Sequence, residues 1–202
     1  MLVHQNFRRK LLAAHQDCKN ADLEIIQSPQ NGVSFVKIDS IFVYVFLELL
    51  SDQLWIPRFK TWRLNERHYG ASVGKNKDEM AREFAADQVK RWRRDYYEMP
   101  PLVEENHFDR RYAQLADQDI PHGENLQMTV QRVAPLWQDE IAPLLGSGKN
   151  VLITGHGNSL RALVKYLEDV PEDQMDTIDI PNAQPIHYRF DKNLQIVNKS
   201  IL

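Results

Sequence analysis

Val151-Leu-Ile-Thr-Gly-His-Gly-Asn-Ser-Leu-Arg-Ala-Leu-Val-Lys-Tyr-Leu-Glu168 is the stretch from which the fold is read. Val151–Thr154 is a short apolar run suited to a buried strand. Gly155-His-Gly-Asn-Ser159 turns the chain, and from Ser159 to Glu168 the residues Leu160, Leu163, Val164 and Leu167 fall at helical spacing. Strand, glycine turn and helix make the βα unit of an α/β protein. The turn also carries chemistry. A histidine there, His156, sits at a helix N-terminus, where free backbone N–H groups and the helix dipole favour an anion, and Arg161 follows one turn in.

Working outward, Asn125–Leu145 is helical by the spacing of Leu126, Val130, Val133, Trp137, Ile141 and Leu145; Gly146 and Gly148 stop it, and Pro135 and Pro143 bend or divide it. Asp78–Arg94 reads as one helix through Met80, Phe84, Val89 and Trp92, ending before Pro100-Pro101. Further upstream the signals stop agreeing. Leu23–Ile26 is a candidate strand ending at Ser28-Pro29, whereas Val33–Leu50 mixes β-branched and aromatic residues with Lys37 and Asp39 and keeps neither a period of 2 nor of 3.6. That disagreement argues against a well-specified element there. One domain spanning 1–202 is expected, with a coherent part at 51–202 and a degenerate segment at 1–50.

A chain of 202 residues with 43% hydrophobic and 26% charged residues is ordinary for a globular protein with a substantial core. The single Cys18 excludes an intramolecular disulfide and a cysteine zinc site. The start, Met1-Leu-Val-His-Gln-Asn-Phe-Arg-Arg-Lys10, leads into no apolar signal region, and the longest apolar run, Ile41–Leu47, is far below the roughly 20 residues of a membrane helix. A cytoplasmic protein with no membrane partner is expected. From Arg58 to Arg111 there are 13 Lys/Arg against 10 Asp/Glu, too weak an excess for nucleic acid but suited to a small anion if the positive residues converge.

Two further clusters carry candidate chemistry. Trp62-Arg-Leu-Asn-Glu-Arg-His-Tyr-Gly70 places a carboxylate, Glu66, among Arg63, Arg67, His68 and Tyr69, with Lys75, Asn76 and Lys77 close behind. Such a carboxylate among phosphate-binding donors suits proton transfer, although charge-rich stretches are commonly solvated turns. Trp92-Arg93-Arg94 adds two guanidinium groups; neighbouring helix residues point about 100° apart, so often one of the two faces a site.

Taken together with Leu54-Trp-Ile-Pro57, Gly74-Lys-Asn-Lys77, Gln88-Val-Lys-Arg-Trp-Arg-Arg94, Pro100-Pro101 and Gly155–Lys165, these runs stand in the order seen in 2,3-bisphosphoglycerate-dependent phosphoglycerate mutases of the histidine phosphatase superfamily. The resemblance runs from about Ser51 to Leu202. It implies a three-layer α/β fold with a mostly parallel sheet, the site at its C-terminal edge, 3- and 2-phosphoglycerate as substrates, 2,3-bisphosphoglycerate as cofactor and no metal. By motif, Glu66 would exchange protons with the substrate hydroxyls and His156 would stabilise the transferring phosphoryl group. Arg67, His68 and Tyr69 would complete that wall, Lys77, Arg93 and Arg94 would bind phosphate and carboxylate, and Gly157 and Asn158 would add contacts. Homo-oligomerisation, or association with an intact mutase, is the implied protein partnership.

The family's first strand ends in Leu-Val-Arg-His-Gly, whose histidine is the phosphoryl-accepting nucleophile; no Arg-His-Gly occurs in this chain. His4, His15 and His122 are the substitutes to consider, and each reads as an ordinary surface histidine. The family's aromatic-Thr-Ser strand end and following Arg-Ala helix are matched only by Ile25-Ile-Gln-Ser-Pro-Gln-Asn-Gly32, with Ser28 and no arginine after it. The N-terminal strand and helix of the fold are therefore expected to be degraded. Smaller departures are Asp95 after the arginine pair, Lys75 for a leucine, and Asn182-Ala183 for Thr-Gly. The abrupt start of the match near Ser51 fits a coding disruption upstream. An inactive mutase homologue is the leading expectation; a mutase with a relocated histidine and a non-catalytic binding subunit are the alternatives.

Overall fold

The computed structural model describes residues 32–37, 57, 59–103, 115–116, 119–182 and 184–201; for 32–37 and 77 the backbone alone is described. His4, His15, Cys18, the candidate strand Leu23–Ile26 and all of 38–56 lie outside the described residues.

Strand β1 is Gly32–Lys37, helices α1 and α2 are Lys77–Phe84 and Ala86–Arg94, and α3 is Leu126–Leu136. There follow α4 (Ala142–Gly146), β2 (Val151–Gly155), α5 (Gly157–Glu168), β3 (Ile186–Phe190) and β4 (Ile196–Ile201). The described strands form one sheet in the order β2-β1-β3-β4. β1 and β2 are parallel, with Lys37 opposite Gly155; β1–β3 and β3–β4 are antiparallel. Parallel pairing thus holds for the one pair that carries the His156 turn, and the described sheet as a whole is mixed.

The expected βα unit is present as β2, the His156 turn and α5. Gly157 to Val164 is buried without interruption on α5, which packs along α3. Leu126, Val133, Leu160, Leu163, Ile186 and Tyr188 are wholly or almost wholly enclosed in the resulting core. Burial on β3 alternates, with Ile186, Tyr188 and Phe190 toward the helices, as a half-covered strand requires. Tyr188 brings a hydroxyl into that core and donates it to the Glu168 carboxylate.

The structure corrects two expectations. Gly32–Lys37, read as part of an aperiodic segment, is a strand at the interior of the sheet, held by β2 on one side and β3 on the other. Six residues are too few for a period of 2 to stand out, and the pairing comes from partners more than a hundred residues away. Second, the helix expected over Asp78–Arg94 is two helices. Ala85 has φ 67° and ψ 142°, outside the helical basin, so the hydrogen-bond series stops and restarts. The rings of Phe84 and Trp92 then meet edge to face at 5.2 Å.

The division expected from Pro135 and Pro143 is seen. Pro143 has no N–H for the carbonyl four residues back, and the backbone between the two prolines widens into a π-turn, Trp137–Ile141, in which the Ala142 N–H reaches the Trp137 carbonyl. No helix among the described residues is long and apolar enough to cross a membrane.

Candidate active site

The run 62–70 is a loop fastened from both ends. A 3-10 turn, Trp62–Leu64, starts at Thr61, whose hydroxyl accepts from the Arg63 N–H. Arg132 of α3 donates to the carbonyls of Arg63 and Asn65, and the Ser159 hydroxyl of α5 donates to the same Asn65 carbonyl. Glu124 closes the other end: its carboxylate accepts from the His68 N–H at 2.8 Å and pairs with Arg132 Nε at 2.8 Å, while its own N–H reaches the His68 carbonyl at 2.8 Å. At Gly70, with φ 57°, the chain lies directly on the Pro101 carbonyl, which also accepts from the Ala71 N–H at 2.7 Å.

So held, the loop presents Glu66 to the N-terminus of α5. Glu66 Oε1 accepts from the Arg67 N–H at 2.8 Å and from Asn158 Nδ2 at 3.0 Å, and Oε2 stands 3.8 Å from His156 Nδ1. Asn158 also donates to the Tyr69 hydroxyl at 2.6 Å, and its own Oδ1 accepts from Arg161 Nη1 at 2.6 Å. Two guanidinium groups lie over the Tyr69 ring, Arg67 at 4.9 Å and Arg93 at 5.4 Å from its centre. Glu66, Tyr69, His156, Asn158, Arg67 and Arg93 therefore share one wall.

The wall is over-supplied with positive charge. Arg67 is 2% exposed; Nη2 donates to the Trp92 carbonyl at 2.7 Å, and Nε and Nη1 have no hydrogen-bond partner among the described residues. Burial lowers its pKa, opposed by Tyr69 and Glu66. Burial, then the neighbouring Arg94, lowers Arg161 to about 10. That is below an arginine's ordinary range, so the charged form is disfavoured in the fold. The unfolded chain holds the proton more tightly, and folding becomes more favourable as pH rises above about 10. An anion on the wall acts in the opposite sense. We expect the Arg161 guanidinium, followed by its carbon chemical shift, to titrate near pH 10 alone and distinctly higher with saturating phosphate; an unmoved midpoint would separate Arg161 from the anion site.

Other expected residues fall as follows. Gly157 is the buried first residue of α5, Arg94 is half-buried at the end of α2, and Lys77 opens α1 with its side chain outside the described set. His68 Nδ1 accepts from the Gly70 N–H at 3.1 Å, which turns the ring to the loop's own backbone. Asp95, next to the arginine pair, accepts through its Oδ1 from the N–H groups of Tyr97 and Glu98 at 2.8 and 2.9 Å. Lys75 pairs at 3.8 Å with Glu83 on the exposed side of α1. The ring of His122 contacts the Val103 carbonyl at 2.8 Å. Sequence reasoning missed Arg132 and Glu124 and left Arg161 without a role; the only signal was a charged residue, Arg132, amid the apolar positions of α3. No cluster suited to a metal ion occurs among the described residues.

A family model described as the histidine phosphatase superfamily (branch 1) matches residues 45–200. The 2,3-bisphosphoglycerate-dependent phosphoglycerate mutase of Neisseria meningitidis serogroup A is 48% identical over 157 residues, 75% of this chain and 69% of that protein. The enzyme of the same name from Lactobacillus acidophilus is 51% identical over 157 residues, 75% of this chain and 68% of its own. Among solved structures, a mycobacterial glucosyl-3-phosphoglycerate phosphatase superposes with a TM-score of 0.60 at 19% identity, covering 96% of this chain and 83% of that one. Bacillus stearothermophilus YhfR gives 0.59 at 20% identity, with 91% and 77% covered. At such identities these two show the fold alone.

Proposed function

We propose that this chain, which belongs to the histidine phosphatase superfamily, is a phosphoglycerate mutase homologue that holds a phosphoglycerate-type anion without turning it over. The observation that carries the binding half is the gathering of guanidinium groups around Arg67, almost fully enclosed and with two nitrogens unpartnered among the described residues, beside Arg93, Arg94 and Arg161. Like charges gathered in this way favour an opposite charge beside them, and a phosphate or carboxylate supplies it through charge-assisted hydrogen bonds to the less buried Arg93 and Arg94. Glu66, shared between Asn158, the Arg67 N–H and His156, is placed to exchange a proton with a substrate hydroxyl. His156, at the head of α5, adds a donor toward a phosphoryl oxygen. The relatives' names make 2,3-bisphosphoglycerate the cofactor for this reading, and the described wall offers it arginines rather than metal ligands. In this reading the binding region is 51–202, within a single domain.

The absence of turnover rests on sequence and register. β1 runs parallel to β2 and ends opposite Gly155, so its C-terminal end stands at the same sheet edge as His156. The sequence leaving that strand is Val36-Lys-Ile-Asp39, and no histidine occurs between His15 and His68. Loss of one electrostatic donor costs about 10²–10³ in rate, whereas loss of the nucleophile removes the covalent route. Calorimetric titration with 3-phosphoglycerate is expected to show saturable binding that Arg93→Ala weakens at least about tenfold, the loss of one charge-assisted contact. After incubation with 2,3-bisphosphoglycerate, intact mass is expected to show no added phosphoryl group. A phosphorylated histidine peptide, or a wild-type chain indifferent to 3-phosphoglycerate, would defeat the respective half of the proposal.

A further inference from the structure

Beside the anion wall, the turn Gly70–Ser72 and helices α1 and α2 line a solvent-open cavity of about 250 Å³. Its walls are largely apolar, Met80, Val89, Trp92 and Pro100, and Tyr69 and Arg93 close it on the side shared with the anion wall. Phosphoglycerate is polar throughout and makes no use of such a space. A concave, largely apolar space with a few charged groups at its edge, here Arg93 and the Glu83-paired Lys75, is instead the form of a small-molecule site. A dry apolar cavity of about 150 Å³ holds a benzene ring, so this one has room for a ring and a short linker. Arg93 supplies the polar end. Its guanidinium lies over the Tyr69 ring at 5.4 Å, and among the described residues no carboxylate is within ion-pair distance of it. The face is stacked, and the edge that chelates two oxygens is left for a ligand.

We propose that this cavity is a binding site for small amphipathic anions: an aryl or branched alkyl body among Met80, Val89 and Trp92, with a phosphate monoester or carboxylate on Arg93. The site deepens the anion reading through Arg93, but it does not require that phosphoglycerate bind.

The test is calorimetric titration of the full chain with phenyl phosphate and with inorganic phosphate. Phenyl phosphate is expected to bind at least about tenfold more tightly, the gain from enclosing a ring. Ser72→Leu directs a branched side chain at the cavity and is expected to reduce phenyl phosphate to the affinity of inorganic phosphate while leaving the latter unchanged. Val73→Phe does the same from a rim position that is 58% exposed, where a larger residue leaves the fold intact. Equal affinities in the wild type, or an advantage that survives in the folded Val73→Phe variant, overturns the proposal. Phenyl phosphate binding without 3-phosphoglycerate binding overturns only the phosphoglycerate reading, and the reverse pattern overturns only this one.

Discussion

Arg132→Met is expected to lower the unfolding free energy by about 3–5 kcal/mol, the cost of stranding a buried charge. Arg132 is 8% exposed and holds three residues at once: Glu124 through Nε at 2.8 Å and Nη2 at 3.3 Å, the Asn65 carbonyl through Nη2 at 2.8 Å, and the Arg63 carbonyl through Nη1. Methionine fills much of the same volume but leaves the Glu124 carboxylate enclosed without its counter-charge and removes the donor from the Arg63 carbonyl. For a domain of this size the loss corresponds to a fall in melting temperature of roughly 10 °C or more. The partner change isolates the cause. Glu124→Gln combined with Arg132→Met is expected to cost clearly less than the two single changes added, because the stranded charge is gone. A single Arg132→Met variant melting within about 2 °C of the parent would mean that the clamp contributes nothing.

Gly70→Ala is the second large effect. The residue has φ 57°, and a Cβ there would lie 2.0 Å from the Pro101 carbonyl oxygen, 3.0 Å from its carbon and 3.2 Å from the His122 carbonyl oxygen. All three are backbone atoms, and the Pro101 carbonyl is pinned by the Ala71 N–H at 2.7 Å. Relief therefore requires the loop to leave Pro101, at about 3 kcal/mol or more. Gly74 is the control. Its φ is 79°, yet nothing lies within 4 Å of its Cβ position, so Gly74→Ala pays only the left-handed conformational cost of about 1–2 kcal/mol. Chemical denaturation of the two variants side by side separates contact from conformation. Equal losses would show that the approach to Pro101 is not what demands glycine at 70.

How much of this was legible in the sequence depended on how far apart the partners were. The β2–turn–α5 unit carries its own signals within eighteen residues, and structure and sequence agree on it to within one or two positions. The prolines of the 125–146 segment announced its division because their missing N–H is a local fact. The break at Ala85 was not legible, since alanine is the strongest helix former and nothing local requires it to leave the helix. β1 was hidden because its identity as a strand comes from β2 and β3. The wall formed by Glu66, Tyr69, Asn158 and His156 was found only because long runs resembled a family. The clamp behind it was not found, because Arg132 reaches backbone carbonyls, and a carbonyl leaves no mark on a sequence.

Positions 132 and 159 meet at one atom. Both Arg132 and Ser159 direct a donor to the carbonyl oxygen of Asn65, from two helices that also pack against each other. Either donor can partly satisfy that oxygen in the other's absence, so the first substitution is cushioned and the second is not. Drift at these two sites in a lineage is therefore epistatic: whichever changes first makes its counterpart harder to replace, although the two side chains need not touch.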